Sequence, residues 1–472
     1  MLGRRVKILF NNRLKSALLY KIRCFASDES FTNNVAKKPT KQLCKNHYDV
    51  VIIGGGMIGT TLASAIGKND YLSELSVLLL EASEKSKPFS SSNYSNRVSA
   101  LNQSSVDLLK SIGAWNHITS ARFKTVKRMQ VWDAISDTFI TFNEEDTNND
   151  LAFIVENDLI MESVLKTLKN MSNIEINYAS KIEKISTNTE KSTIAVTLKD
   201  GETFSCNLLV GADGAKSIVR HNMNVNTFDI SYKQLGIVAT LEVESKKDGN
   251  ATAWQRFLLT GPIALLPLTD TLSSLVWSTT TEETKKLIKM TPEDFTGKVN
   301  EAFNRQMHYS FNFAFSSIIK SLKLLPTTTL TKKQTPPKVI RIMTNSRAVF
   351  PLGLSHASSY VKNGMVLIGD AAHRIHPLAG QGVNLGFGDI KSLTTVLEGA
   401  VCNGAKINNP GYLLQYEKER LLHNVPVILG IHALQRLYCT DLTPVVLMRS
   451  IGLQITHSFS LLKKFFIKQA MH

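Results

Sequence analysis

Asp370, Gly380, Gly382 and Asn384 fall within fifteen residues of one another in Met365–Asp389, which reads Met-Val-Leu-Ile-Gly-Asp-Ala-Ala-His-Arg-Ile-His-Pro-Leu-Ala-Gly-Gln-Gly-Val-Asn-Leu-Gly-Phe-Gly-Asp. The carboxylate of Asp370 accepts hydrogen bonds from a sugar-like chain. Glycines at 380 and 382 let a ligand lie against bare backbone, and a helix beginning there turns free N–H groups and partial positive charge toward it. This chemistry suits a flavin, whose reduced ring is anionic. A second group is Gly54-Gly55-Gly56-Met57-Ile58-Gly59, followed by Glu81 twenty-two residues beyond Gly59. Gly54 serves a tight turn, Gly56 a close pyrophosphate approach and Gly59 helix-on-strand packing, while Glu81 has the spacing of a carboxylate on an adenosine ribose. That pattern alone does not separate FAD from NAD. The third group is Gly211-Ala212-Asp213-Gly214 with Ser217 and Arg220. His373 and His376 invite a general-base role but read better as loop histidines that hold backbone in place.

These residues need strands that stop and helices that start at the right points. Met365–Ile368 is an apolar strand that ends at Gly369-Asp370, and a Pro- and Gly-containing loop then opens a helix near Gly380. Tyr48–Ile53 is a buried strand leading through the first glycines into a helix with Leu62, Ala63 and Ile66; Leu75–Leu80 is a second strand ending at Glu81. Leu208–Gly211 is a strand, and Asp213-Gly214 is expected to start the next helix. Ser105–Ile112 and Gly113-Ala114-Trp115 read as packing. Asp158, with Glu162 nearby, is expected to cap a helix over Leu159–Leu168.

Arg128–Phe142 alternates as strands of a second domain. Ile237–Val243, Trp254–Leu268 and Leu272–Thr279 continue it as antiparallel strands, with turns at Gly261-Pro262 and Thr269-Asp270. Phe311, Phe313, Phe315, Ile318, Ile319 and Leu322 form an apolar run beside Lys320 and Lys323, and Pro326–Pro337 follows as an exposed loop. The run reads either as a docking face for a membrane or partner or as a lid. Ser392–Gly399, Leu413–Tyr438 and Val445–Lys468 are helical; the last is apolar and basic, suiting either bilayer contact or a cover for the domain.

The net charge is +16, but residues 1–47 carry eleven Lys or Arg against Asp28 and Glu29, leaving only +7 elsewhere. Nucleic-acid binding loses its main support. No acid precedes Asp28, and the basic residues interleave with Val6, Phe10, Leu14 and Leu18, the composition of a mitochondrial presequence. Arg23-Cys24-Phe25-Ala26-Ser27 resembles a matrix-processing site. Five scattered cysteines without a C-x-x-C pair fit a reducing compartment and argue against disulfide scaffolds and metal sites. The chain has no run of eighteen apolar residues, so a membrane span is not expected.

The Gly369–Gly382 segment resembles the second FAD motif of the single-component flavin aromatic hydroxylases, the p-hydroxybenzoate hydroxylase-like family. Gly-Ala-Asp-Gly-x-x-Ser-x-x-Arg resembles that family's Asp-Gly fingerprint. The resemblance implies an α/β fold: an FAD-binding Rossmann-like domain of glutathione-reductase type, an interleaved antiparallel-sheet substrate domain and a C-terminal helical region. It implies a presequence and linker at 1–47, an FAD-binding domain at 48–121, 153–228 and 345–400, and a substrate domain with a helical insertion at 122–152 and 229–344, with 401–472 as the helical region. Asp370 is then expected on the ribityl chain, with Pro377 and Gly380 beside the ring. Arg97, in Ser95-Asn96-Arg97-Val98-Ser99, is expected near the pyrophosphate or ring, and Gly54, Gly56, Gly59, Glu81, Asp213, Gly214, Gly369, Gly382 and Asn384 complete the FAD site. Trp254, Arg256, Leu266 and Trp277 are candidate substrate residues or ordinary sheet packing.

Within the family, Arg-Met-Gln-Val-Trp-Asp, Trp-Gln-Arg-Phe and Gly-Pro-Ile-Ala-Leu-Leu-Pro-Leu resemble its ubiquinone-biosynthesis branch. That implies hydroxylation at C5 of a polyprenyl-4-hydroxybenzoate or polyprenylphenol by O2 through a flavin C4a-hydroperoxide, with no protein catalytic residue assigned. It also implies a peripheral place on the matrix side of the mitochondrial inner membrane, beside other coenzyme Q biosynthesis proteins. The electron donor stays open between ferredoxin with its reductase, which a basic surface suits, and NADPH. Two other readings also remain: a flavin epoxidase or hydroxylase of another lipid, and a non-enzymatic protein resembling the GDP-dissociation inhibitors.

Overall fold

The computed structural model describes residues 46–85, 89–91, 93–136, 138–143, 150–188, 190, 192–245, 249–305 and 333–458. The basic leader, the Phe311–Leu322 run, residues 326–332 of the following loop and residues 459–468 of the last helix lie outside them.

The chain opens with β1 (His47–Ile53), α1 (Met57–Lys68) and β2 (Val77–Leu80). It continues through β3 (Val98–Leu101), α2 (Gln103–Ser111), α3 (Ala114–Ala121), β4 (Lys124–Val126), β5 (Arg128–Asp133) and β6 (Phe139–Asn143). Then come β7 (Ala152–Glu156), α4 (Asn157–Leu168), β8 (Ile174–Asn177), the hairpin of β9 (Ile182–Asn188) and β10 (Thr193–Leu198), β11 (Thr203–Gly211) and α5 (Ile218–Asn222). A long strand, β12 (Thr227–Val243), leads into β13 (Thr252–Leu258), β14 (Gly261–Pro267), β15 (Leu272–Thr280), α6 (Thr281–Lys289) and α7 (Pro292–Asn304). The last strands are β16 (Val339–Ile342), β17 (Ala348–Ala357), β18 (Val361–Lys362), β19 (Met365–Leu367) and β20 (His373–Arg374); α8 (Gly382–Cys402), α9 (Pro410–Tyr438) and α10 (Thr443–Ser458) follow.

Five strands in the order β19-β11-β1-β2-β8 run parallel, with β18 antiparallel at one edge and the β9–β10 hairpin laid against β11. Val77–Leu80 is buried at every position, as a parallel strand covered on both faces must be. Strand β11 changes character along its length: alternate residues are buried where it pairs with the hairpin, and Leu208–Gly211 are all buried where its neighbours are parallel. In register, Ile53 lies opposite both Leu80 and Gly211, and Gly211 opposite Leu367, so four strands end level.

The second sheet has the order β20-β17-β12-β15-β14-β13-β5-β6, with β16 added beside β12. Its outer face packs Ile237, Trp254, Ile263, Leu265 and Trp277 against Leu287, Phe295 and Val299 of α6 and α7. A small sheet, β3-β7-β4, packs by Val98 and Ala100 against Met129, Ala253 and Leu266.

Several local expectations change. Strands β17 and β20 pair into the second sheet, past the boundary drawn at 344, because β17 follows β12 for most of its length. Gly261 and Pro262 are the first residues of β14 rather than the turn, since Gly261 already pairs with Leu258. Asp158 does not cap α4: the cap position is Glu156, whose carboxylate is taken by Arg122 and the Ser95 N–H. Asp213-Gly214 precedes its helix, which starts at Ile218 after Ser217 accepts from the Arg220 N–H at 3.0 Å.

Candidate active site

The level ends of β2, β1, β11 and β19 carry the three glycine-and-acid groups to one edge. Gly54 turns at φ +109°, and a Cβ there would stand 2.4 Å from Ala212 O and 2.8 Å from Asp213 Cα, so the Gly54 and Asp213 groups touch. A Cβ on Gly386 of α8 would stand 2.6 Å from Ile58 Cδ1 and 3.4 Å from Gly369 Cα, which brings the Gly54 and Asp370 groups together. Gly59 is required by packing, with its Cβ position 1.9 Å from Gly54 O, whereas a Cβ on Gly56 would meet nothing within 4 Å. Glu81 steadies the turn: Oε2 accepts from Gly55 N at 2.6 Å and Oε1 from Ser83 N at 2.8 Å.

Two helices start at this edge without a side-chain cap and without an acid in the first turn, α1 at Gly56 and α8 at Gln381. Their free N–H groups and dipoles face outward as anion sites. Asp213 Oδ2 accepts from Ile218 N at 2.6 Å, while its Oδ1 is buried without a hydrogen-bond partner. Desolvation raises the Asp213 carboxyl above its ordinary value, opposed by the Ser217 hydroxyl and by the N–H groups of Val219 and Ile218. Gly214, at φ +76°, also faces open space. Open backbone, two uncapped helix starts and an orphaned acid oxygen together fit a ligand with a diphosphate, hydroxyls and a flat anionic ring.

Asp370 is solvent-accessible yet ringed by protein; desolvation raises its carboxyl, against the lowering effects of His373 and Arg374. The turn that carries it is tied down from behind by Asp389 of α8. Asp389 is 0% exposed, and its Oδ2 accepts from Gly369 N at 2.9 Å and lies 2.6 Å from His373 Nε2. Its Oδ1 accepts from Arg420 Nε of α9 at 2.7 Å. Burial alone would raise this carboxyl, but His373, Arg420 and the Gly369 N–H hold it below its ordinary value. Sequence reading passed over this network, although an acid among Leu385, Phe387 and Ile390 of an apolar helix was the signal for it.

Pro377–Ala379 forms one tight 3-10 turn closed by Gly380 at φ +61°. Leu378 packs on Phe257 of β13, and a Cβ at Gly380 would lie 3.4 Å from Ala100 Cβ of β3. This loop, expected beside a flavin ring and called the ring loop below, thus sits between the second sheet and the small one. Asn384 joins β3 to α8: Nδ2 donates to Ala100 O at 2.9 Å, and Oδ1 accepts from Asn102 N at 3.1 Å and Ser105 Oγ at 2.7 Å. Its amide, expected on the cofactor, is occupied within the protein. Arg97 is exposed and its guanidinium makes no hydrogen bond among the described residues; it lies on a loop that Arg122 clamps by stacking over Tyr94 at 3.8 Å and pairing with Glu156 at 2.6 Å. His373 and His376 are both buried and bond to side chains, Asp389 and Gln234, rather than to backbone.

Of the four candidate substrate residues, three turn away from the ring loop. Trp254 (3% exposed) and Trp277 (6%) lie in the outer core against α6 and α7. Arg256 is buried there too, donating to Ala302 O at 2.9 Å and Arg305 O at 2.7 Å at the end of α7. Strand alternation is the cause: residues i and i+2 share a face, so 254 and 256 point outward together. Leu266 is on the inner face, half-buried under the small sheet. Sequence reading missed the inner row Val131, Gln255, Ala264 and Val276, half-buried neighbours in register across four strands.

The family described as FAD binding domain matches residues 47–310 and 328–428. The chain is 45% identical over 462 residues to the Drosophila melanogaster ubiquinone biosynthesis monooxygenase COQ6, mitochondrial, covering 96% of each chain. It is 44% identical over 427 residues to the Homo sapiens protein of that name, covering 88% of this chain and 91% of that one. In fold it is similar to p-nitrophenol 4-monooxygenase PnpA from Pseudomonas putida DLL-E4, with TM-score 0.67 and 15% identity over 90% of this chain and 99% of that one. PqsL, a probable FAD-dependent monooxygenase from Pseudomonas aeruginosa, gives TM-score 0.65 and 19% identity over 86% and 99%. The chain belongs to the FAD binding domain family and, within it, to the ubiquinone biosynthesis monooxygenases: it is an FAD-dependent oxidoreductase.

Proposed function

We propose that this enzyme hydroxylates C5 of the aromatic ring of a polyprenyl-4-hydroxybenzoate or polyprenylphenol in ubiquinone biosynthesis, taking electrons from ferredoxin and its reductase. The observation that carries the reading is the half-open inner row of the second sheet, bounded by Phe257 of β13 and Leu378 of the ring loop on one side and by Ala253 and Ala100 on the other. Bound FAD supplies the oxygen activation. Gly54, Gly56, Glu81, Asp213, Gly214 and Arg97 hold its adenosine and diphosphate, and Asp370 its ribityl chain. Pro377, Gly380 and Gly382 lie against the ring, where the start of α8 stabilises negative charge. Gly59, Gly369 and Asn384 shape these turns. The apolar row orients the substrate ring and excludes water.

The relatives are named mitochondrial, and we place this chain there, peripherally on the matrix side of the inner membrane with other ubiquinone-biosynthesis proteins. Among the described residues no helix is long and apolar enough to cross a membrane. Support for a peripheral contact comes from the exposed Leu422, Leu429, Leu442 and Met448 of the C-terminal region, and from a sequence without an acid after Asp441. The relatives' activity removes the non-enzymatic reading.

The test is product analysis. FAD-loaded protein given O2, ferredoxin, its reductase and a short-tailed polyprenyl-4-hydroxybenzoate is expected to yield the 5-hydroxylated ring. An oxidised tail with an untouched ring would replace this reading with the epoxidase, and equal turnover with NADPH alone would remove ferredoxin as donor.

A further inference from the structure

Gln255 lies between the two residues chosen from the sequence for their chemistry, and strand alternation turns it the opposite way. Its companions on the inner face are Ala253 and Phe257. Ala253 shares a cluster with Leu266 and the β3 residues Val98 and Ala100; Phe257 shares one with Ile375 and Leu378 of the ring loop and stacks on Tyr438 of α9 at 3.9 Å. Gln255 is therefore centred between the two walls of the slot. Directly across from it are Val131 and Ala264, with Val276 next in the row, all half-buried and apolar. Gln255 is half-buried itself and has no hydrogen-bond partner for its amide among the described residues. A lone amide in an apolar row loses water when a flat ring slides over it, and the complex is favourable only if the ring returns a hydrogen bond.

We propose that the Gln255 side-chain amide recognises the phenolic oxygen of the substrate ring. This rests on the function proposed above and names the group that sets the ring's orientation. The row holds no cation, so a neutral amide suits a phenolic oxygen better than a carboxylate. The amide both donates and accepts, so it serves the phenol and the phenolate alike. Anchoring the oxygen at C4 leaves the neighbouring C5 to be presented toward the ring loop.

The experiment titrates the FAD-loaded enzyme with a short-tailed polyprenyl-4-hydroxybenzoate and with the same molecule lacking the ring hydroxyl, reading the perturbation of the flavin absorbance. Wild type is expected to prefer the hydroxylated ligand by about tenfold or more, the worth of one neutral hydrogen bond. Gln255→Leu is expected to bring the two affinities together while FAD stays bound. Equal affinities in wild type would overturn the assignment, and need no variant to fold. An unchanged preference in Gln255→Leu would also overturn it while leaving the proposed reaction standing. A wild type that binds neither ligand would remove both.

Discussion

At the scale of the residue, His376 shows how a side chain beside the ring loop is tuned by where it is put. It is fully buried, edge-on to Tyr232 at 5.2 Å, and its Nε2 lies 3.3 Å from Gln234 Oε1. Desolvation pulls its pKa down to about 4, so the imidazole is neutral in the folded enzyme at neutral pH. The unfolded chain takes up this proton near pH 6.5. Its native value lies below the unfolded one, so the stability it lends is complete above about pH 6.5 and is withdrawn as pH falls toward 4. Roughly 3 kcal/mol is at stake over that window. Urea unfolding at pH 7, 5.5 and 4.5 is expected to show His376→Gln losing less stability on acidification than wild type. Parallel losses in the two proteins would mean that other groups govern the acid limb.

At the scale of the element, α8 is given two jobs within its first two turns: its uncapped start is the end proposed to face the flavin ring, and Asp389, two turns on, grips the Asp370 turn and α9. Removing the carboxylate leaves the Arg420 guanidinium buried without its charge partner. Asp389→Ala is therefore expected to cost about 3–5 kcal/mol, with Asp389→Asn milder because an amide keeps part of the bonding. Thermal unfolding gives the first number. Flavin retained through gel filtration tests the link to the site, and Asp389→Ala that keeps its FAD as tightly as wild type would break that link. The three turns were legible beforehand because glycine and acid at fixed spacing report a local backbone requirement. Asp389 was not, because its partners come from other elements. The facing of β13 was missed for a related reason: Trp254 and Arg256 were chosen for chemical type, whereas α6 and α7 decide which side of the strand is outside. Asn384 was read as a ligand group although β3, far away in sequence, claims its amide.

At the scale of the molecule, the resemblance to the flavin hydroxylases implied a dinucleotide sheet with an interleaved antiparallel one, and the structure has both. The exact partition did not follow, because β17 is joined to the second sheet by pairing with β12, a strand far back in the sequence, and β20 by pairing with β17, neither through any local pattern of its own. Charge also acts at this scale. Beyond residue 47 the chain carries a net +7, and a protein donor rich in acidic groups would be steered toward it. Such steering is screened over about 10 Å at 0.1 M salt. With ferredoxin well below saturation, flavin reduction is expected to slow by about tenfold between roughly 0.05 and 0.5 M NaCl, because long-range attraction raises the encounter rate by at least that factor. Substrate affinity, which rests on an apolar row and an uncharged amide, is expected to change little over the same range. Stopped-flow reduction at several salt concentrations measures the first and flavin-absorbance titration the second. A rate indifferent to salt would mean that the donor docks without electrostatic guidance, and an acidic ferredoxin would then lose its place in the scheme.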